Sequence, residues 1–329
     1  MLCAFNGTAL RSVLPPLLIS EFILGALGNG LALWIFCFHL KPWKSSTVLL
    51  FNLAMADFLL LLVLPFRASY YLSELEWHFG SSFCNICLFM LAMNRSGSTL
   101  FLMAIALDRY MRVVHPHHPV NFLSLSKAMC GAAVLWLLSI SMSAHIFTLT
   151  HTNHTYCQSL SLPETELQGN LTWLKFAFLF SFYMPFLVIL YCTVSITTHL
   201  RGRQIAQQAK TKNALRFLIV VVVLFVLCFL PSNIVQIIMW YRTNKAFHTL
   251  SESQVCVVME ELTTAFTFTI SLTYLNSVLD PLVYYFSSPA IKIICRKALR
   301  LSQASETVES AEKKTRETGS QSRCQQNVK

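Results

Sequence analysis

Long apolar blocks alternate along the chain with short polar connections. Seven stretches, roughly 14–39, 46–72, 84–113, 127–149, 173–199, 212–240 and 257–286, each hold the run of about 20 mostly apolar residues that a membrane-spanning helix needs. The pattern predicts an all-α membrane protein: a seven-transmembrane helix bundle filling one domain, 14–288, behind a short N-terminal segment, 1–13. No repeat of about 20 to 50 residues is visible, and the halves lack the paired broken helices of inverted-repeat transporters. From 301 to 329 the chain turns to Ser, Thr, Glu, Lys, Arg and Gln, which cannot bury enough apolar surface to fold; a disordered tail is expected. In 289–300, opened by Pro289, the residues Ile291, Ile293, Ile294 and Leu299 stand against Lys292, Arg296, Lys297 and Arg300. That suits a short amphipathic eighth helix on the membrane surface, in which Cys295 is either a palmitoylation site or a plain interfacial cysteine.

Composition agrees with the blocks. Of 329 residues, 55% are hydrophobic and 12% charged, against roughly 25% charged in a soluble domain, which excludes a soluble two-domain enzyme. In a soluble protein the net charge of +10 would suggest nucleic acid. Here the basic residues gather in connections, at Lys41, Lys44, Arg201, Arg203, Lys210 and Lys212, and after the last block at Lys292, Arg296, Lys297 and Arg300. The positive-inside bias puts those on the cytoplasmic face, with the lipid bilayer and not nucleic acid as the surrounding partner. The opposite connections carry Glu74, Glu76, Glu164, Glu166 and Glu252, and the glycosylation sequons at Asn6, Asn153 and Asn170 fall on that side. An extracellular N-terminus, a multi-pass protein of the plasma membrane and a first block acting as uncleaved signal-anchor follow as expectations. Eleven cysteines are present. Cys37, Cys130, Cys192 and Cys228 sit inside apolar blocks as small hydrophobes; Cys84, Cys157, Cys3 and Cys256 face the oxidising side, and four cysteines allow three connectivities.

Ionisable groups inside spans each cost about 2.5–3.5 kcal/mol on insertion scales and mark function by default. Asp57, Arg95, Asp108 with Arg109, and Asp280 are such groups. Arg95 and Ser98 share one helical face, and Arg95 lies roughly 16 Å below Cys84 and roughly 21 Å above Arg109 at 1.5 Å per residue. Its planar fork matches a carboxylate. Two readings stand: an anchor for an anionic ligand, or a structural pair with Asp57 or Glu21. Arg67, just past Pro65, adds a second cation nearer the mouth, with no obvious acid at that level, which favours an acidic ligand. Asn29, Asp57, Ser98, Asn276 and Asp280 form a deeper oxygen-rich set, suited either to a sodium ion with water or to a hydrogen-bonded polar core. The His115-Pro116-His117-His118 run has no acid or cysteine near it and reads as a solvated loop, so no enzyme is expected. A transporter would also want an intramembrane arginine, but needs two gates and usually more spans.

These residues carry a resemblance over nearly the whole chain. Asn52-Leu53 and Asp57, then Asp108-Arg109-Tyr110, Trp136, Pro185, Cys228-Phe229-Leu230-Pro231 and Asp280-Pro281-Leu282-Val283-Tyr284, in order and each on its own block, resemble a rhodopsin-like (class A) G protein-coupled receptor. The resemblance implies a Cys84–Cys157 disulfide, a sodium pocket at Asp57 and Ser98, a G-protein-facing Arg109, a sixth helix that swings about Phe229 and Pro231, and a Tyr284 that repacks on activation. The sixth helix opens on Thr211-Lys212-Asn213 without an acid, so Arg109 is expected to rely on Asp108; Thr193 replaces a tyrosine found in many relatives.

Within the class, Ala92-Met93-Asn94-Arg95-Ser96-Gly97-Ser98, Arg112-Val113-Val114-His115-Pro116-His117-His118 and Asn276-Ser277-Val278-Leu279-Asp280 are similar to the hydroxycarboxylic acid receptors and their oxoeicosanoid and hydroxyeicosatetraenoic acid relatives. That likeness implies a ligand carboxylate on Arg95, assisted by Tyr274, and coupling to Gi/o proteins that lower cyclic AMP. Cys3 and Cys256 resemble the group's extra extracellular disulfide cysteines. Gln236 stands where nicotinate and ketone-body type receptors have a second arginine, while Phe89, Phe182, Phe266 and Phe268 offer apolar walls. The expected agonist is an oxidised fatty acid, with a small hydroxy acid such as lactate, hydroxybutyrate or nicotinate as the alternative. The Ser- and Thr-rich tail suits phosphorylation by receptor kinases and docking of arrestin; no cofactor beyond the sodium ion is expected.

Overall fold

The computed structural model describes residues 7–148, 157, 168–201, 208–249, 251–287, 291–294 and 296–297. Asn6, Asn153, Cys3, Cys295 and the tail lie outside these residues. Among the described residues seven helices are long and apolar enough to cross a membrane: α1 Thr8–Phe38, α2 Ser45–Leu72, α3 Ser81–Val114, α4 Leu125–Phe147, α5 Phe176–His199, α6 Lys212–Thr243 and α7 Ser253–Ser287. Several extend past the apolar blocks. The helix containing α5 runs Gln168–Arg201, taking in Asn170, and that containing α6 begins at Gln208, because hydropathy marks only the lipid-facing length while backbone hydrogen bonds continue into polar sequence. Pro15 and Pro16 sit in the early turns of α1.

Three helices are broken where the chemistry lies. In α2 the helix stops at Leu61 and resumes at Leu64 with Pro65 in its first turn; Val63 N–H donates to the Leu60 carbonyl at 3.0 Å, a tightened turn of the 3₁₀ type. In α6 a π-helical turn, Phe225–Phe229, precedes Leu230-Pro231. Proline lacks the N–H that an α-turn would use and its ring crowds the preceding carbonyls, so the wider turn relieves the clash. In α7, Thr273 and Tyr274 N–H groups donate to Ile270 and Ser271 carbonyls, both at 3.0 Å, between the pieces Glu252–Ser271 and Leu275–Ser287. Arg67 therefore follows a local irregularity and Tyr274 lies within one.

Packing holds these breaks in place. Phe182, Phe186, Phe225 and Phe229 stack in sequence across α5 and α6, with centroids 5.2–6.0 Å apart. Phe182 is thus a core packing residue and not a cavity wall. Trp136 on α4 donates its indole N–H to Asn52 Oδ1 at 2.8 Å and packs edge-on to Phe101, tying α2, α3 and α4. At Gly28 on α1 a Cβ would lie 2.6 Å from Pro281 Cγ, whereas at Gly30 it would meet nothing within 4 Å. A proline ring cannot swing aside, and overpacking costs about 1–3 kcal/mol. Gly28→Ala is expected to lower the amount of folded receptor severalfold, and Gly30→Ala to leave it unchanged, as read by surface labelling.

Two compact units divide the chain, Met1–Tyr284 and Tyr285–Lys329. In the second, residues 291–294 and 296–297 are helical and the Lys292 ammonium lies 5.6 Å from the Tyr285 ring centroid. The remainder of the expected eighth helix falls outside the described residues.

Candidate functional site

Near the N-terminal end of α3, a disulfide joins Cys84 to Cys157. Cys256 is also disulfide-bonded. The Cys157 backbone becomes part of the site, since its carbonyl accepts from Arg67 Nη1 at 2.7 Å. Arg67 Nη2 donates to the Tyr71 hydroxyl at 3.1 Å, and the guanidinium lies over the Tyr70 and Tyr71 rings at 5.3 and 5.5 Å. Arg67 is thus fixed by neutral acceptors and π faces, with no carboxylate beside it among the described residues.

Arg95 sits deeper and is held differently. Its Nη2 donates to Ser232 Oγ on α6 at 3.3 Å, and its guanidinium lies 3.9 Å from the centroid of Phe178 on α5. Only 8% of the residue is exposed. Asp57 and Glu21, its candidate structural partners, make no ion pair with it: the Asp57 oxygens are taken by other groups, and neither Glu21 oxygen has a hydrogen-bond partner. A buried guanidinium bound by one hydroxyl and one ring retains most of its five donors for an incoming anion. Tyr274, 7% exposed, lies within electrostatic range of Arg67 and Arg95 and of Glu21. Gln236 is also buried on α6, one turn beyond Ser232. Ser232 and Phe178 were not legible as site residues: a serine after Pro231 and one phenylalanine among many carry no special signal.

Below this lies the oxygen-rich set. Asp57 Oδ1 accepts from Ser277 Oγ at 2.8 Å, Asn94 Nδ2 at 3.2 Å and Ser98 Oγ at 3.3 Å. The Tyr284 hydroxyl donates between Asn29 Oδ1, at 2.9 Å, and Asp57 Oδ2, at 3.1 Å. Asn29 Nδ2 donates to the Ser277 carbonyl at 2.7 Å and Asn276 Nδ2 to Asp280 Oδ2 at 2.8 Å. Asp280 Oδ1 and Asn276 Oδ1 have no partner. All five residues of the expected set are therefore brought together, with Asn94, Ser277 and Tyr284 added; Asn94 stands one turn from Ser98, a spacing the sequence offered.

At the far end of α3 the Asp108 carboxylate serves several groups: both oxygens accept from Arg112 Nε at 3.0 Å, Oδ2 also accepts from Ser46 Oγ at 2.8 Å, and the carboxylate attracts the adjacent Arg109. Arg112 Nη2 donates to Ser45 Oγ at 2.8 Å. The i,i+4 spacing of Asp108 and Arg112 puts them on one face, and the two serines opening α2 complete a clasp between α2 and α3. Tyr110 turns away, its hydroxyl 3.2 Å from His115 Nε2. Arg112→Ala removes the competing cation and leaves the Asp108 carboxylate to Ser46 and Arg109. It is expected to lower agonist-independent signalling several-fold, and Arg112→Lys to restore part of it, measured as basal nucleotide exchange on added G protein.

Comparison with known proteins places this geometry in a family context. The family described as 7 transmembrane receptor (rhodopsin family) matches residues 28–284. The chain is 47% identical to hydroxycarboxylic acid receptor 2 of Homo sapiens, covering 88% of this chain and 78% of that one. It is 40% identical to oxoeicosanoid receptor 1 of Homo sapiens, over 86% and 71% of the two chains. Against the 12-(S)-hydroxy-5,8,10,14-eicosatetraenoic acid receptor of Mus musculus identity is 35%, over 91% and 92%.

Proposed function

Because the chain belongs to the rhodopsin family of seven-transmembrane receptors, a family of receptors and not of enzymes, we propose that it is a plasma-membrane receptor for a carboxylic acid, with its N-terminus extracellular, that signals through Gi/o proteins to lower cyclic AMP. One observation carries the ligand class: among the described residues Arg95 is buried in the bundle with a hydroxyl and an aromatic ring for company and no carboxylate. The ligand carboxylate takes the vacant donors of Arg95, with the Tyr274 hydroxyl as a further donor and Arg67 raising the positive potential toward the mouth. An oxidised fatty acid is the favoured form, since Gln236 supplies no second cation on α6 and Phe178 and Phe266 pack in one apolar cluster with Met239 and Leu262. Small hydroxy acids are the competing form, supported by Arg67 as a second cation.

Binding shifts a receptor population only through stronger contacts in the active state. A carboxylate on Arg95 competes with Ser232 and Phe178, loosening the tie of α3 to α5 and α6, and lets α6 move about the π-turn and Pro231. At the other end that motion exposes Arg109 to the G protein. The deeper pocket fits a sodium ion: Asp57 and Asp280 supply charge, and the unpartnered oxygens of Asp280 and Asn276 are hard donors. Sodium there holds the resting arrangement. By the resemblance to the hydroxycarboxylic acid receptors Cys3 is the proposed partner of Cys256, and the phosphorylated tail recruits arrestin.

The test is cyclic AMP in cells expressing the chain, with and without pertussis toxin, during exposure to oxo- and hydroxy-eicosatetraenoic acids, lactate, hydroxybutyrate and nicotinate. A toxin-sensitive fall with the lipids establishes the favoured form. A fall with the small acids alone transfers the receptor to the metabolite type, and no response to any acid contradicts the proposal.

A further inference from the structure

Asn233 on α6 is fully buried, and its Oδ1 has no hydrogen-bond partner among the described residues. The other end of its amide is committed: Nδ2 donates to the Phe229 carbonyl at 2.8 Å. A carbonyl can only accept, so that bond fixes which end of the amide is which, and leaves Oδ1 as an acceptor facing away from Phe229. A buried acceptor without a donor costs free energy. It is satisfied when a hydroxyl arrives, whereas a ligand oxygen that can itself only accept gains nothing there.

Measured contacts connect this amide to Arg95. Arg95 Nη2 donates to Ser232 Oγ at 3.3 Å, and Ser232 Oγ donates in turn to the same Phe229 carbonyl at 2.9 Å. Ser232 and Asn233 thus meet at one oxygen. Three successive hydrogen bonds lead from the Arg95 guanidinium to the Asn233 amide nitrogen, which puts the two within about 9 Å of each other whatever the angles between the bonds. Phe229, Ser232, Asn233 and Gln236 follow one another at helical spacing and are all buried, so they form the face that α6 turns to the interior of the bundle. The shared carbonyl belongs to the last residue of the π-turn Phe225–Phe229. A ligand held by Arg95 and Asn233 together therefore bridges α3 to α6 at the turn about which α6 moves.

We propose that Asn233 is a second ligand-recognition residue, whose Oδ1 accepts a hydrogen bond from a hydroxyl on the acid held by Arg95. This deepens the reading of Arg95 as the carboxylate anchor and rests on it. The two residues ask for opposite things: Arg95 offers donors, which suit a carboxylate, and Asn233 offers an acceptor, which suits a hydroxyl and opposes a ketone. Asn233 thereby selects hydroxy acids over the oxo acids of the same carbon skeleton.

The test uses the intact receptor in membranes with added Gi protein, reading nucleotide exchange at matched receptor levels. The probes come in sets of three: 5-hydroxy-, 5-oxo- and unsubstituted eicosatetraenoic acid, the corresponding acids substituted at carbon 12, and 3-hydroxybutyrate, acetoacetate and butyrate. Each set is applied to wild type, Asn233→Val, Asn233→Thr and Arg95→Ala. In wild type the hydroxy acid of at least one set is expected to be about tenfold more potent than its oxo partner. Asn233→Val removes the acceptor and brings that ratio to about one, while the Phe229 carbonyl keeps its bond from Ser232. Threonine has the shape of valine and a hydroxyl that can donate to the carbonyl four residues back while still accepting from the ligand, so Asn233→Thr keeps part of the preference. Since the preference is a ratio taken on one receptor, a variant that merely folds less well leaves it unchanged. Equal potency of hydroxy and oxo acids in every wild-type set, or a preference that survives Asn233→Val, overturns the assignment. If instead Arg95→Ala leaves the acids as potent as before, the carboxylate anchor fails, a result read without reference to Asn233. Silence toward every acid overturns both.

Discussion

Arg95→Ala is expected to weaken an acid agonist by about tenfold to 150-fold, the range that loss of a charge-assisted hydrogen bond of about 1.5–3 kcal/mol implies. Arg95→Lys restores only part of the loss. Lysine brings a point charge where the carboxylate wants a planar fork, and its stem is too narrow to lie flat on Phe178 as the guanidinium does, 3.9 Å from the ring centroid. The same substitutions have a smaller effect on stability, because among the described residues Arg95 has a single hydrogen bond to lose, to Ser232. Radioligand competition and dose-response curves on matched surface levels check both statements. A shift below about tenfold for Arg95→Ala contradicts the anchor.

Breaking the Cys84–Cys157 bridge is the other large effect. The two cysteines are 73 residues apart, and closing a loop of that length stabilises a fold by about 4 kcal/mol in the chain-entropy account. Cys157 also presents the carbonyl that accepts from Arg67 at 2.7 Å. Cys157→Ser is therefore expected to do two things: cut surface receptor several-fold, and reduce agonist potency on the receptors that reach the surface. Arg67→Ala reproduces the second effect without the first. Surface labelling and agonist dose-response on the same cells separate them, and equal potency in Cys157→Ser and wild type would detach Arg67 and the bridge from ligand recognition.

Much of this was legible because a membrane imposes coarse rules. Seven apolar blocks became seven spans, and the Arg95, Asp57 and Asp280 positions stood out since a charge in an apolar run has few bland explanations. In the oxygen-rich set Asn29, Asp57 and Ser98 are bonded together through Ser277 and Tyr284, and Asn276 is bonded to Asp280. What was not legible depends on relations between helices. The π-turn at Phe225–Phe229 arises from how Leu230-Pro231 is accommodated, not from any residue within it. Ser232 matters because α6 brings it to Arg95, and Phe182 serves packing because Phe186 and Phe225 stack on it. The pairing of Asp108 with Arg112 was present as an i,i+4 spacing, but the clasp completed by Ser45 and Ser46 depends on where α2 opens beside α3.

The central claim is that a ligand carboxylate meets the Arg95 guanidinium. It is tested most directly by a two-by-two comparison: one acid agonist and its methyl ester, each on wild type and on Arg95→Ala, with Gi nucleotide exchange as the readout. Removing the charge from either side destroys the same interaction, so the ester on wild type and the acid on Arg95→Ala should be weakened alike, and combining the two changes should add little. Losses that multiply when both changes are made together would mean that the carboxylate and Arg95 act separately, and the anchor would have to be sought elsewhere.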